Sequence, residues 1–289
     1  MTVRKGVILA AGFGTRLLPA TKAVPKEMLP LLDRPIIQYV AEEAVAAGIR
    51  ELIVVISAGK ESIAHHFSPA PELEQALAAK GDEDSLREVS RLSSLASFCF
   101  VYQHERLGTG HALLQARPLI GNDPFALFYP DDIVVGEEPA IAHLVTLYEQ
   151  CKAPVLGVAP VPPQDAHRYG LIDASQEGDN LFRVNRAVEK PSPHEIPSHL
   201  AMVGRMVLTP QIFPFLQKTP PGRGGEVWLT DAINLLCQHL PVYASALPGK
   251  WLDVGNLMGL LMGSLHLALT HPKWSAQARR LLGELERLP

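Results

Sequence analysis

Short apolar runs rich in Val, Ile and Leu alternate with stretches of helical period along the chain. That alternation predicts an α/β fold built from βα units around a mainly parallel sheet. Strands are expected at 6–10, 52–56, 97–102, 125–129 and 155–161. A helix at 36–47 ends at Gly48, a residue suited to the left-handed turn past a helix. Two more are expected at 109–117, stopped by Pro118, and at 140–151. From 169 to 208 the texture changes to strand-like runs split by turns (171–174, 181–189 and 202–208), which reads as a β-rich insert at one edge of the sheet. Helices follow at 228–239 and 256–269, with an amphipathic one at 276–288. The charge-dense stretch 80–92 reads as a solvated helix or excursion. No repeat or linker is visible, so 1–289 is expected to form one domain.

Composition narrows the class. At 289 residues the chain buries a core without disulfides or metal staples. Its 22 glycines and 25 prolines fall short of low complexity and signal many defined turns. The net charge of −4 leaves no electrostatic footprint for nucleic acid or anionic lipid, so any phosphate must be held by a local site. Cys99, Cys151 and Cys237 are odd in number and lack C-x-x-C spacing, which gives no disulfide framework or zinc site and favours a reducing cytoplasm. Arg4-Lys5 precedes an apolar run too short for a signal peptide. Gly255, Gly259 and Gly263 recur at four-residue spacing, but Asn256, Ser264 and His266 interrupt the stretch. A helix packed closely on its neighbours is expected there, not a membrane span.

The candidate chemistry starts where the first strand ends, in Ala10-Ala11-Gly12-Phe13-Gly14-Thr15-Arg16. A glycine turn after a strand lets backbone N–H groups approach a polyphosphate. The dinucleotide fingerprint fails, because Leu17 stands where it needs glycine, and so does the Walker loop, because Thr15-Arg16 follows Gly14. The run continues through Pro19, Lys22 and Pro25 to Lys26-Glu27-Met28-Leu29-Pro30, placing Arg16, Lys22 and Lys26 beside the glycines. Cations near backbone donors suit a triphosphate. Two acidic sites follow: Pro130-Asp131-Asp132 just past a strand end, where α/β sheets present their sites, and Asp253 in Trp251-Leu252-Asp253-Val254-Gly255.

The run 9–30, with Gln103 to Gly108, Glu189-Lys190-Pro191 and Leu229-Thr230-Asp231, closely resembles the sugar-1-phosphate nucleotidyltransferases, and among them the uridylyltransferases. The resemblance covers most of the chain. It implies the Rossmann-like nucleotide-diphospho-sugar transferase fold, with a nucleotide-binding half at 1–135, a sugar-phosphate-binding half at 154–255 and C-terminal helices at 256–289. It also implies a Mg²⁺-dependent reaction in which glucose 1-phosphate attacks the α-phosphorus of UTP and pyrophosphate leaves, with no protein nucleophile. The resemblance further implies a homodimer or homotetramer that acts on small molecules, with no nucleic acid or membrane partner.

Carried over residue by residue, the resemblance makes Arg16, Lys26, Asp131 and Lys190 catalytic. Ala11, Gly12, Gly14 and Thr15 hold the nucleotide, and Gln103 and Gly108 its base. Gly170, Glu189, Lys190, Val203 and Gly204 hold the sugar phosphate. Asp131 is the first metal ligand with Asp132 as the spare, and Asp253 the second. His111 is read as structural, because this chemistry needs no acid or base. Trp251-Leu252 before Asp253 is more reminiscent of thymidylyltransferases, so use of dTTP stays open, as does a regulatory paralogue that keeps the fold without turnover.

Overall fold

The structure is a computed structural model that describes residues 2–285. β1 (Lys5–Leu9) leads through the glycine loop and three 3-10 turns to a small hairpin, β2 (Pro30–Leu31) and β3 (Arg34–Pro35), followed by α1 (Ile36–Ala46) and β4 (Glu51–Ile56). Next come α2 (Glu61–His66), α3 (Pro71–Lys80), α4 (Glu83–Ser93), β5 (Ser97–Tyr102), α5 (Gly108–Ile120), β6 (Phe125–Phe128), β7 (Asp132–Val135), α6 (Ala140–Cys151) and β8 (Val155–Pro160). The strand-rich part is β9 (Gly170–Gly178), β10 (Leu181–Glu189) and β11 (Leu200–Leu208). After it run α7 (Ile212–Lys218), α8 (Leu229–Cys237), β12 (Tyr243–Ala246), β13 (Lys250–Asp253), α9 (Leu257–Thr270) and α10 (Ser275–Leu285).

Nine strands form one sheet in the order β5-β4-β1-β6-β11-β8-β12-β10-β9. Its first four strands are parallel, as the βα alternation predicts. β11 then enters antiparallel to both β6 and β8, and β8 with β12 restores one parallel pair. The sheet is therefore more evenly mixed than the alternation alone suggests, because the strand-rich segment returns into its middle instead of lying wholly at an edge. β9 also touches β11, Leu171 opposite Ala201, which curls that end of the sheet back on itself.

Alternate residues of each strand face opposite layers. Val7 and Leu9 of β1 join Leu113, Phe213 and Ile233 of α5, α7 and α8 on one side. Ile8 and Ala10 join Ile37, Val40 and Leu144 of α1 and α6 on the other. Coverage on both faces explains the near-continuous apolar strands. Buried between the layers, Arg205 of β11 is wholly inaccessible. Its Nη2 and Nε donate to Glu43 of α1 at 2.6 and 3.1 Å, and its Nη1 to the Tyr129 carbonyl at 3.2 Å. Glu43 also accepts the Ile141 N–H at 3.1 Å, so one carboxylate caps α6 and neutralises Arg205.

Several expectations shift. α5 runs through Pro118 to Ile120 and stops at Gly121; a proline near the C-terminal end sacrifices one helical hydrogen bond without ending the helix at once. The charge-dense stretch is the solvated helix α4, as expected, but a further helix, α3, precedes it and is divided from it at Gly81 in left-handed conformation. Asp82 then caps α4 by accepting the Ser85 N–H at 3.2 Å. The segment around Asp253 is a strand, not only a turn, and pairs with β7 so that Asp253 lies opposite Asp132. The last helix begins at Ser275, and the expected helical positions 286–288 lie outside the described residues. No described helix is long and apolar enough to cross a membrane.

Candidate active site

A cleft of about 600 Å³ opens beyond the carboxyl ends of β1 and β6 and is lined from both halves of the sheet. Its first wall is the glycine loop, whose carbonyls are turned away and tied down. The Ala10 carbonyl accepts from Lys60 Nζ at 2.7 Å, and the Ala11 carbonyl from Ser57 Oγ at 3.0 Å and Arg106 Nε at 3.2 Å. Among the described residues nothing accepts the N–H groups of Gly12 and Phe13. Free amides beside anchored carbonyls make an anion-binding concavity. Gly14 sits at φ +71°, where a Cβ would approach that of Lys26 to 3.1 Å; the glycine lets the loop lie against the Lys26 stem. Gly14 and Thr15 themselves stand behind the cleft lining, whereas Ala11, Gly12 and Phe13 form it.

Lys26 is the more sheltered cation of this wall, half-buried. Its Nζ meets Asp131 Oδ2 at 2.7 Å, and the more exposed Arg16 reaches the same oxygen at 3.3 Å. Burial opposes the charge on Lys26, but the Asp131 and Glu27 carboxylates outweigh it and raise its pKa. Burial works against the Asp131 anion too, yet Lys26 and then Arg16 keep its pKa below the ordinary value. Glu27, fully buried, pairs through both oxygens with Lys60 Nζ at 2.8 and 3.0 Å. The turn that carries Lys26 is thereby stapled to the end of β1.

The two adjacent aspartates differ. Asp132 accepts Trp251 Nε1–H at 2.8 Å on one oxygen and the Gly204 N–H at 2.7 Å on the other. Burial, then the Asp131 and Asp253 charges, pushes its pKa up to about 7. With both oxygens engaged, Asp132 braces β7 against β11 and β13. Asp253 accepts from Tyr169 Oη at 3.1 Å, Arg168 Nη2 at 3.3 Å and the Gly255 N–H at 3.1 Å. Asp131 also approaches Gly255, so closely that a Cβ there would collide with Oδ2. Asp131 and Asp253 thus meet at one glycine. No described group of three or more His, Cys, Asp or Glu side chains forms a complete metal cage. Two hard carboxylates that leave positions for phosphate oxygens and water do fit magnesium.

Toward the outer end of β5, Gln103 is 3% exposed and lines the cleft with Gly108. Its Nε2 donates to the Gly108 carbonyl at 3.1 Å and lies 3.0 Å from His111 Nδ1. Gly108 has φ +92°, and a Cβ would come within 2.7 Å of the Val227 carbonyl, so only glycine fits.

The opposite wall is built by β9 and β10, where Gly170 pairs with Glu189. Glu189 Oε2 accepts Thr230 Oγ1–H at 2.6 Å. Lys190 adopts φ +42°, which turns its side chain out of the strand; Nζ lies 3.6 Å from Glu189 Oε1 with the side chain 55% exposed. Val203 is buried and Gly204 has given its N–H to Asp132, so neither lines the cleft, contrary to the expected sugar-phosphate contact. A side chain at Gly204 would strike Tyr129, which is reason enough for glycine.

The cleft therefore gathers Ala11, Gly12, Arg16, Lys26, Gln103, Gly108, Asp131, Gly170, Glu189, Lys190 and Asp253 from seven separate stretches of sequence. Sequence reasoning missed Phe13 and Arg106. The Arg106 guanidinium lies 4.0 Å over the Phe13 ring, and its hydrogen bonds to Ala11, Ser57 and Ala58 clamp the loop. The only sequence hint was an arginine between Gln103 and Gly108. Arg168 was also missed, and only β13 pairing reveals its partner Asp253.

Comparison with known proteins agrees with this arrangement. The nucleotidyl transferase family model matches residues 5–269. The UTP–glucose-1-phosphate uridylyltransferase 1 of Staphylococcus saprophyticus is 47% identical over 93% of this chain and 94% of its own length. The UTP–glucose-1-phosphate uridylyltransferase YngB of Bacillus subtilis is 43% identical over 98% and 95%. The UTP-bound UGPase of Acinetobacter baumannii superposes with a TM-score of 0.91 at 37% identity, over 98% of this chain and 99% of that one. A glycine loop with free amides, a sheet that returns antiparallel into its own middle, and likeness along nearly the whole length lead to one statement: this chain belongs to the nucleotidyl transferase family.

Proposed function

We propose that the chain converts UTP and glucose 1-phosphate to UDP-glucose and pyrophosphate. The observation that carries this reading is the single cleft in which loop amides, Arg16 and Lys26 form one wall and Gly170, Glu189 and Lys190 the other. A nucleoside triphosphate suits the first wall, with its base at Gln103 and Gly108, and a sugar phosphate suits the second. Both curated relatives described above are uridylyltransferases, which supports UTP over dTTP. Trp251, the residue that points toward thymidylyltransferases, has a structural task here as the donor to Asp132.

The phosphate of the bound sugar attacks the α-phosphorus in line, a P–O bond forms, and the bond to pyrophosphate breaks. No side chain bonds to phosphorus, so the chain contributes positioning and charge neutralisation. Lys26 and Arg16 offset charge on the transferring and leaving phosphates. Lys190 holds the sugar phosphate, and Glu189 accepts from sugar hydroxyls. Asp131 and Asp253 would hold Mg²⁺, which when bound supplies Lewis-acid neutralisation of phosphate oxygens. Arg16, Lys26, Asp131 and Lys190 are all intact, which weighs against a paralogue without turnover. Three free cysteines support a reducing, cytoplasmic setting.

Product analysis tests the reaction, and isotope exchange tests its route. UDP-glucose should accumulate with both substrates, and labelled pyrophosphate should not enter UTP in the absence of sugar. Exchange without sugar would reveal a uridylyl-protein intermediate and overturn direct attack. No UDP-glucose would overturn the function. Assembly as a homodimer or homotetramer is also proposed, because α9 leaves Leu257, Met258, Leu261 and Met262 exposed. Light scattering at the mass of one chain, 31.5 kDa, would contradict it.

A further inference from the structure

His111 plays no part in phosphoryl chemistry, yet it touches the amide assigned to the base. The atom of Gln103 that lies 3.1 Å from the Gly108 carbonyl must be the nitrogen, because a carbonyl only accepts. The same nitrogen lies 3.0 Å from His111 Nδ1. Its second hydrogen therefore points at Nδ1, the shorter of the two contacts on this ring; on the far edge Gln115 Nε2, which donates to the His111 carbonyl at 3.2 Å, lies 3.3 Å from Nε2. Both amide hydrogens are then consumed. The remaining polar atom, Oε1, has no partner among the described residues, and because no buried side-chain oxygen or nitrogen is left unpaired there, Oε1 is accessible. Since Gln103 lines the cleft, Oε1 is the atom that reaches it.

We infer that His111 is a specificity-determining positioning residue: with the Gly108 carbonyl it locks the Gln103 amide so that a bare acceptor faces the base. That polarity selects a base whose ring edge carries an N–H donor. Uracil and thymine present N3–H, whereas cytosine presents a lone pair at N3 and meets acceptor with acceptor. The lock discriminates pyrimidines by their ring proton and is blind to the 5-methyl group, which fits a site that reads the edge uracil and thymine share. Without Nδ1 the amide can turn over, and Oε1 no longer has a fixed direction. This inference rests on the proposed UTP site.

The test is calorimetric titration of the intact protein with UTP and with CTP, in magnesium and without sugar phosphate, for wild type and three variants. His111→Asn places its carboxamide oxygen where Nδ1 lies and keeps the acceptor. His111→Leu removes it, and His111→Gln removes it while keeping a polar side chain should Leu impair folding. The expected result is a UTP-over-CTP affinity ratio that falls about tenfold in the Leu and Gln variants, the scale of one mispaired buried polar group. The Asn variant should stay within about threefold of wild type. A wild-type ratio in folded Leu or Gln protein would overturn the role of His111, since a merely structural residue would weaken both nucleotides together. Failure of wild type to bind UTP would instead overturn the UTP site on which the inference stands.

Discussion

Asp131 and Asp132 are neighbours in sequence with different surroundings, and the difference assigns their work. Asp131 shares one oxygen with two cations that a phosphate can draw away, while Asp132 is held by an indole and a backbone N–H. Asp131→Ala should therefore abolish magnesium-dependent turnover while the thermal melt stays cooperative; near wild-type turnover would remove Asp131 as the metal carboxylate. At the base, Gln103→Ala should raise the KM for UTP by about tenfold, the scale of one hydrogen-bonding group lost from a dry site, and leave the KM for glucose 1-phosphate little changed. Equal effects on both substrates would show a general loss of structure. Glu189 and Lys190, singled out by their family-like tripeptide, both line the cleft. Gly204 carried a family-like signal too, but its N–H is taken by Asp132, a partner that sequence spacing does not report.

Elements that bury a continuous apolar run were readable in the sequence, and β1, β4 and β6 lie close to where the pattern puts them. α3 was not, because it buries no residue and so carries no apolar stripe. β7 and β13 were missed for a related reason. Each is four residues long, and what fixes them is their mutual pairing, which sequence spacing does not report. That pairing delivers Asp253 to the cleft. A second device working between elements is Glu43, which joins α1, α6 and β11 through Arg205 and the Ile141 N–H. Glu43→Gln leaves a buried guanidinium without its counter-charge and should cost about 3–5 kcal/mol of stability, readable as a lower denaturant midpoint. A loss below about 1 kcal/mol would mean that Arg205 finds another partner.

On the scale of the molecule, the sheet divides the labour that the cleft reunites. Its parallel end supplies the glycine loop and the Gln103 strand, its curled antiparallel end supplies Gly170, Glu189 and Lys190, and Asp131 follows the strand beside β11. The cations stay local, which is how a chain of net charge −4 presents a site for polyphosphate. In the proposed reaction this cleft joins a uridylyl group to a sugar phosphate. That reaction is tested most directly by pyrophosphate release from the purified protein with Mg²⁺ and glucose 1-phosphate, UTP against dTTP. Sugar-dependent release should be clearly faster with UTP. Release that favours dTTP, or folded protein silent with UTP, would contradict the proposed reaction.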